Sequence, residues 1–134
     1  MTYVLDTNIV SALMRGEAAS IHHFTAARPD EVFVPHPVIA EIRYGLVRLG
    51  RSRRKVALEK WANELFRVIE RAPWTDDISA AFAETKADLE RRGVRVEDMD
   101  VIVAAHALAT AATLVTRNVR QLSRVRNLEI ETWT

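Results

Sequence analysis

The sequence predicts an α/β sandwich, a parallel sheet flanked by helices. Three observations carry that expectation. Short apolar runs alternate with segments of helical spacing along the chain. The 134 residues, 49% hydrophobic and 28% charged, suit one domain with a proper core. No repeat, low-complexity tract or Pro/Gly/Ser linker divides them.

The elements follow in order. Residues 2–5 form a short buried strand. From residue 7 to about 14 the spacing of Ile9, Val10, Leu13 and Met14 is helical, and Gly16 stops it. A second helix covers 18–27. Residues 31–34 form an apolar strand closed by Pro35. Pro37 opens a helix whose inward stripe is Val38, Ile39, Ile42, Leu46 and Leu49, ending at Gly50. The next helix covers about 52–66 and carries Val56, Leu58, Trp61, Leu65 and Phe66. A strand is expected at 68–70. Thr75 caps a helix with Ile78, Phe82 and Leu89 inward and Gly93 at its end. Asp98 or Met99 starts a very apolar helix running to about 111. Residues 113–116 are a strand, 118–122 a short helical turn, and 128–132 the last strand.

Composition narrows the chemistry. The chain has no Cys, which removes disulfides, thiolate nucleophiles and cysteine-based zinc sites and suits a reducing cytoplasm. The N-terminal residues carry no signal-peptide pattern. The longest uncharged stretch, 101–116, falls short of the ~20 apolar residues of a membrane span. Net charge is only +1, but arginines cluster around 48–55, 91–95 and 117–126. Local basic clusters beside acidic positions can hold a polyanion around an acidic site, although charge runs are usually solvated faces.

Four polar residues sit at the margins of apolar elements. Asp6 ends "YVL", Glu41 lies in "AEIRYG", Asp100 opens "DVIVAAHAL", and Asn118 follows "LVTR". A carboxylate in such a place is costly unless something pairs with it. In parallel sheets the sites lie at the carboxyl ends of strands, where Asp6 and Thr116 fall. Converging carboxylates repel and raise one another's pKa until a cation neutralises them. Oxygen ligands favour a hard ion, Mg²⁺ or Mn²⁺, over zinc. Each residue also has a plainer role. Asp6 suits an N-cap, Asp98 and Asp100 suit the first turn of a helix, and Glu41 can pair with Arg43 or Arg48. Capping does not account for Glu41, which sits within a helix stripe. Gly45 lies four residues on, on the same helix face, at a cost of about 1 kcal/mol to the helix. Two residues turn a helix by about 200°, so Asp98 and Asp100 cannot share a target. Asp100 is the better ligand and Asp98 the better cap. His106 points away from Asp100 as a half-buried packing residue, and His22-His23 reads as surface.

In order and spacing, "YVLDTNIVSAL", "AEIRYG", "DMDVIVAAHAL" and "LVTRNVRQLSRVRNLEIETW" resemble a PIN-domain ribonuclease of the VapC toxin type. The resemblance covers the whole chain as a single PIN domain, residues 1–134. It implies a compact three-layer α/β/α sandwich and an acidic set of Asp6, Glu41 and Asp100, with Asn118 fourth. Family members carry Asp or Asn there, and Asn lowers the negative charge by one. The implied activity is Mg²⁺-dependent cleavage of structured RNA, with tRNA a candidate, by the toxin of a toxin–antitoxin pair. Asp6 and Asp100 would hold the ion, and Glu41 would hold a second ion or orient the water. Asn118 would bond a metal-bound water or a phosphate. Thr7 and Thr116 would support the shell, and Arg117 would grip an RNA phosphate. The implied partners are RNA, a cognate antitoxin and a second copy of the chain, with no membrane. Two other readings stand beside this one. A phosphatase or phosphotransferase would use Asp6 as nucleophile, but it would want an acid where Asn8 stands. A non-catalytic RNA-binding module would have no need of three intact acids.

Overall fold

The computed structural model describes residues 1–134. Its core is a five-stranded sheet, every pair parallel, in the order β3-β2-β1-β4-β5. The strands are β1 (Tyr3–Leu5), β2 (Val32–Pro35), β3 (Glu70–Ala72), β4 (Thr113–Val115) and β5 (Ile130–Glu131). Val4, Leu5, Val32, Val34, Leu114 and Val115 are buried. Central parallel strands are covered on both faces, so their sequences read as continuous apolar runs.

Helices α1 (Thr7–Met14) and α2 (Ala18–Ala26) join β1 to β2, and α3 (His36–Arg48) and α4 (Arg53–Val68) join β2 to β3. Helices α5 (Asp76–Arg91) and α6 (Asp98–Ala109) carry the chain back across the sheet to β4. Crossovers between parallel strands are right-handed, so connections running in opposite directions take opposite faces. Helix α1 accordingly packs with α2, α3 and α4, and α5 packs with α6. The order reverses between β1 and β4. That crevice, at the carboxyl ends of the strands, is where sheets of this kind place ligands. After β4 a four-residue helix, α7 (Val119–Leu122), leads toward β5.

Several expectations shift. Helix α4 runs on to Val68, and β3 follows at 70–72 instead of 68–70. Glu70 and Arg71 are exposed on an edge strand, so the strand itself is polar and its apolar neighbours mislead. Only Ala62 and Phe66 of α4 are buried, with Leu58 and Leu65 half-buried beside them, while Val56 and Trp61 face solvent. Val56 lies across the helix from that stripe. Helix α6 ends at Ala109, two residues early, because Ala111 turns into the left-handed region with φ 53°. The last strand is only two residues long.

One aromatic residue joins the core unannounced. Trp133 is 1% exposed, edge-on to Tyr3 at 5.4 Å and stacked on His23 at 6.0 Å. His23 is therefore a half-buried packing residue, not a surface one. His106 is fully buried, not half-buried, because α6 is enclosed almost all round its circumference. Neither ring nitrogen has a partner, and burial lowers its pKa. No helix is long and apolar enough to cross a membrane.

Candidate active site

Four motifs meet at the crevice. Asp6 follows β1, and its backbone N–H donates to Val115 O at 2.9 Å, which fixes it beside the end of β4. It is also the N-cap of α1, with Oδ1 accepting from Thr7 N at 2.7 Å. Its other oxygen, Oδ2, accepts from Thr116 Oγ1 at 2.8 Å and from Asn8 Nδ2 at 3.4 Å. Capping and site-building thus use different oxygens of one carboxylate.

The bonds continue outward on both sides. Thr7 Oγ1 donates to Glu41 Oε1 at 2.6 Å, tying α3 to the start of α1. Asn118 N donates to Thr116 Oγ1 at 3.0 Å, and Asn118 Nδ2 donates to Asp100 Oδ2 at 2.8 Å. One unbroken path of hydrogen bonds therefore links Glu41, Thr7, Asp6, Thr116, Asn118 and Asp100. Asp100 stands in the first turn of α6, and Asn118 stands before α7 with its side chain committed to Asp100 rather than to capping.

The electrostatics are those of crowded acids. Burial raises the pKa of Asp6 first of all, and the charge of Glu41 adds to it, against the hydrogen bonds from Thr116, Thr7 and Asn8. Asp100 is pushed up to about 6, chiefly by burial and then by the nearby charge of Asp6. Glu41 and Glu97 raise it further, while Asn118 opposes them. Such a set stores unfavourable charge that a cation would relieve.

No three acidic or imidazole side chains are grouped closely enough to hold a metal ion as a protein cage. Mg²⁺ does not need one, since it keeps several waters and takes one or two carboxylates. The donors offered are all hard oxygens. Asp100 Oδ1 and Glu41 Oε2 make no hydrogen bond within the chain and remain open to a ligand. Oxygen donors of this kind are the ones a hard divalent ion takes.

Three residues depart from their sequence expectations. Asp98 turns outward to Lys86, with Nζ–Oδ1 2.9 Å, and the N-cap position of α6 belongs to Glu97, which makes no side-chain cap bond. Arg117 is paired with Glu17 across 2.8 Å, and Arg15 holds the same carboxylate at 2.6 Å. The trio keeps one net positive charge at the rim, but Arg117 is not a free cation. Asn8, which in the sequence marks only the absence of a second acid, is a hub of hydrogen bonds. Its Oδ1 accepts from Arg117 N at 3.0 Å, and its amide reaches Asp6 and Thr116. The signal was its place two residues after a strand-end acid.

The fold and the site at its crevice define a PIN domain, and the chain belongs to that family, whose sequence profile matches residues 3–128. The particular relatives it resembles are narrower in kind. The chain is 27% identical over 135 residues to Ribonuclease VapC2 of Rickettsia felis, covering 99% of this chain and 98% of that protein. It is 26% identical over 137 residues to the tRNA(fMet)-specific endonuclease VapC of Shigella flexneri, covering 100% and 99%. In three dimensions it is similar to a chain in the crystal structure of VapBC2 from Rickettsia felis bound to a DNA fragment from their promoter. The TM-score there is 0.89, with 25% identity and complete coverage of both chains.

Proposed function

We propose that this protein is a Mg²⁺-dependent endoribonuclease, the toxin of a toxin–antitoxin pair. The observation that carries the reading is the path of hydrogen bonds joining Glu41, Asp6, Asn118 and Asp100 where the strand order reverses. The ribonuclease relatives support it, and the VapBC2 complex supports a protein partner. When bound, Mg²⁺ would polarise a phosphodiester and lower the pKa of a coordinated water. Asp6 and Asp100 would hold the ion, and Mn²⁺ could replace it. Glu41, hydrogen-bonded by Thr7, would hold a second ion or orient the attacking water. Asn118 locks the rotamer of Asp100 through its amide, as groups behind a metal ligand usually do. Thr116 does the same for Asp6. The Shigella flexneri relative makes tRNA the first substrate to try.

Asn8 weighs against the phosphatase reading. It stands where a second acid would be needed, and both ends of its amide are engaged in holding the site together. The test is incubation of the purified protein with tRNA in Mg²⁺ and, separately, in EDTA. New RNA ends are expected only with Mg²⁺. Hydrolysis of a phosphomonoester with RNA left intact would instead establish the phosphatase, and binding without cleavage would establish the non-catalytic module.

A further inference from the structure

We propose that the groove running from Glu41 down α3 holds single-stranded RNA next to the scissile phosphate, with Tyr44 as a base-stacking platform and Arg48 and Arg54 as phosphate contacts. This inference rests on the nuclease reading and adds the track on which the substrate lies. The groove encloses about 390 Å³ and begins at Thr7 and Glu41, so it is continuous with the site. Glu41, Tyr44, Gly45 and Arg48 line it from one face of α3 at spacings of three, four and seven residues. Seven residues of helix span about 10 Å, enough to carry the substrate beyond the acids.

Three features point to an occupant of this chemistry. First, Tyr44 is 63% exposed although it is a large aromatic residue beside the site. The Arg48 guanidinium lies over its ring at 5.5 Å, an aromatic–cation pair of the kind that stacks bases and meets phosphates. Second, neither Arg48 nor Arg54 has an acidic partner, in contrast to Arg15 and Arg117. Arg51, Arg53 and Lys55 extend the same unpaired charge around the turn into α4. Positive charge leading away from a carboxylate cluster suits a polyanion whose one phosphate sits at the acids. Third, Gly45 lies within a helix, where glycine is costly, yet a Cβ there would meet nothing within 4 Å. Internal packing does not require the glycine. Its absent side chain leaves the groove floor bare.

The experiment compares kcat and KM for cleavage of a single-stranded RNA by the full chain and three variants. Tyr44→Ala is expected to raise KM roughly tenfold with kcat within about twofold, from the loss of one stacked base. Tyr44→Phe keeps the ring and should keep the wild-type KM. Gly45→Leu should raise KM comparably while raising the melting temperature, because it blocks the groove but improves the helix. An RNA carrying 4-thiouridine beside the cleavage site should crosslink to the peptide that contains Tyr44. Wild-type KM in both Tyr44→Ala and Gly45→Leu overturns the proposal and leaves the groove to a protein partner. A wild-type chain that cleaves no RNA removes the nuclease reading, and this proposal with it.

Discussion

Asp100→Asn is expected to stabilise the fold at neutral pH while lowering RNA cleavage by roughly 10³-fold, a loss of several kcal/mol of ion-dependent stabilisation. The two effects share one cause. The Asp100 carboxyl is raised from 3.8 to about 6 by burial and by the charges of Asp6, Glu41 and Glu97. The ionised form at pH 7 is therefore more costly folded than unfolded. The difference corresponds to roughly 3 kcal/mol, and the half-exposure of the group screens it to the order of 1 kcal/mol. The folded state binds the proton more tightly, so this group's destabilisation is full above about pH 6. It fades as pH falls from 6 toward 3.8, below which both states are protonated. The amide introduced by the substitution can still accept the bond from Asn118 through its carbonyl. The measurement is thermal unfolding of both chains across that range. The variant should be more stable near pH 7 and equal near pH 4. His106 works in the opposite direction, since burial lowers its pKa and wild-type stability is lost as pH falls below 6.5. It is common to both chains, so the difference between them removes it. A variant less stable at pH 7, or one that still cleaves at the wild-type rate, would contradict this account.

Trp133→Ala is expected to cost about 3–5 kcal/mol of stability, the scale of truncating a fully buried aromatic residue. The side chain joins β1, α2 and the C-terminal strand. Its ring meets Tyr3 of β1 and His23 of α2, and its Nε1 donates to Glu131 Oε1 at 3.0 Å. Its carbonyl accepts from the buried Ser20 Oγ at 2.7 Å. Strand β5 has only two residues, so this anchor reinforces a short ladder at the end of the sheet. Urea unfolding measures the cost, and a loss below about 1 kcal/mol would show that the C-terminal anchor is dispensable.

The same residues show how far the sequence could be read. Asp6, Glu41, Asp100 and Asn118 were legible because each is a polar residue at the margin of an apolar element, and parallel sheets put such margins at one edge. Trp133 was not, since its burial depends on Ser20 and His23, more than a hundred positions away. The pairing of Arg117 with Glu17 is equally non-local, separated by 100 positions, and local charge patterns cannot foresee it. Helix geometry separates Asp98 from Asp100, but Asp98 does not cap α6 as expected, because its partner Lys86 lies on another helix. Strand β3 misled because edge strands tolerate charged residues that buried strands exclude.

In the proposed function Asp6 and Asp100 act as one divalent-ion site. Titration of Mn²⁺ into the purified protein, followed by electron paramagnetic resonance, tests it without reference to any substrate. Saturable binding is expected in the wild type, weakened at least about tenfold in both Asp6→Asn and Asp100→Asn. Equal binding by all three chains, or RNA cleavage by a wild type that binds no Mn²⁺ saturably, would contradict it.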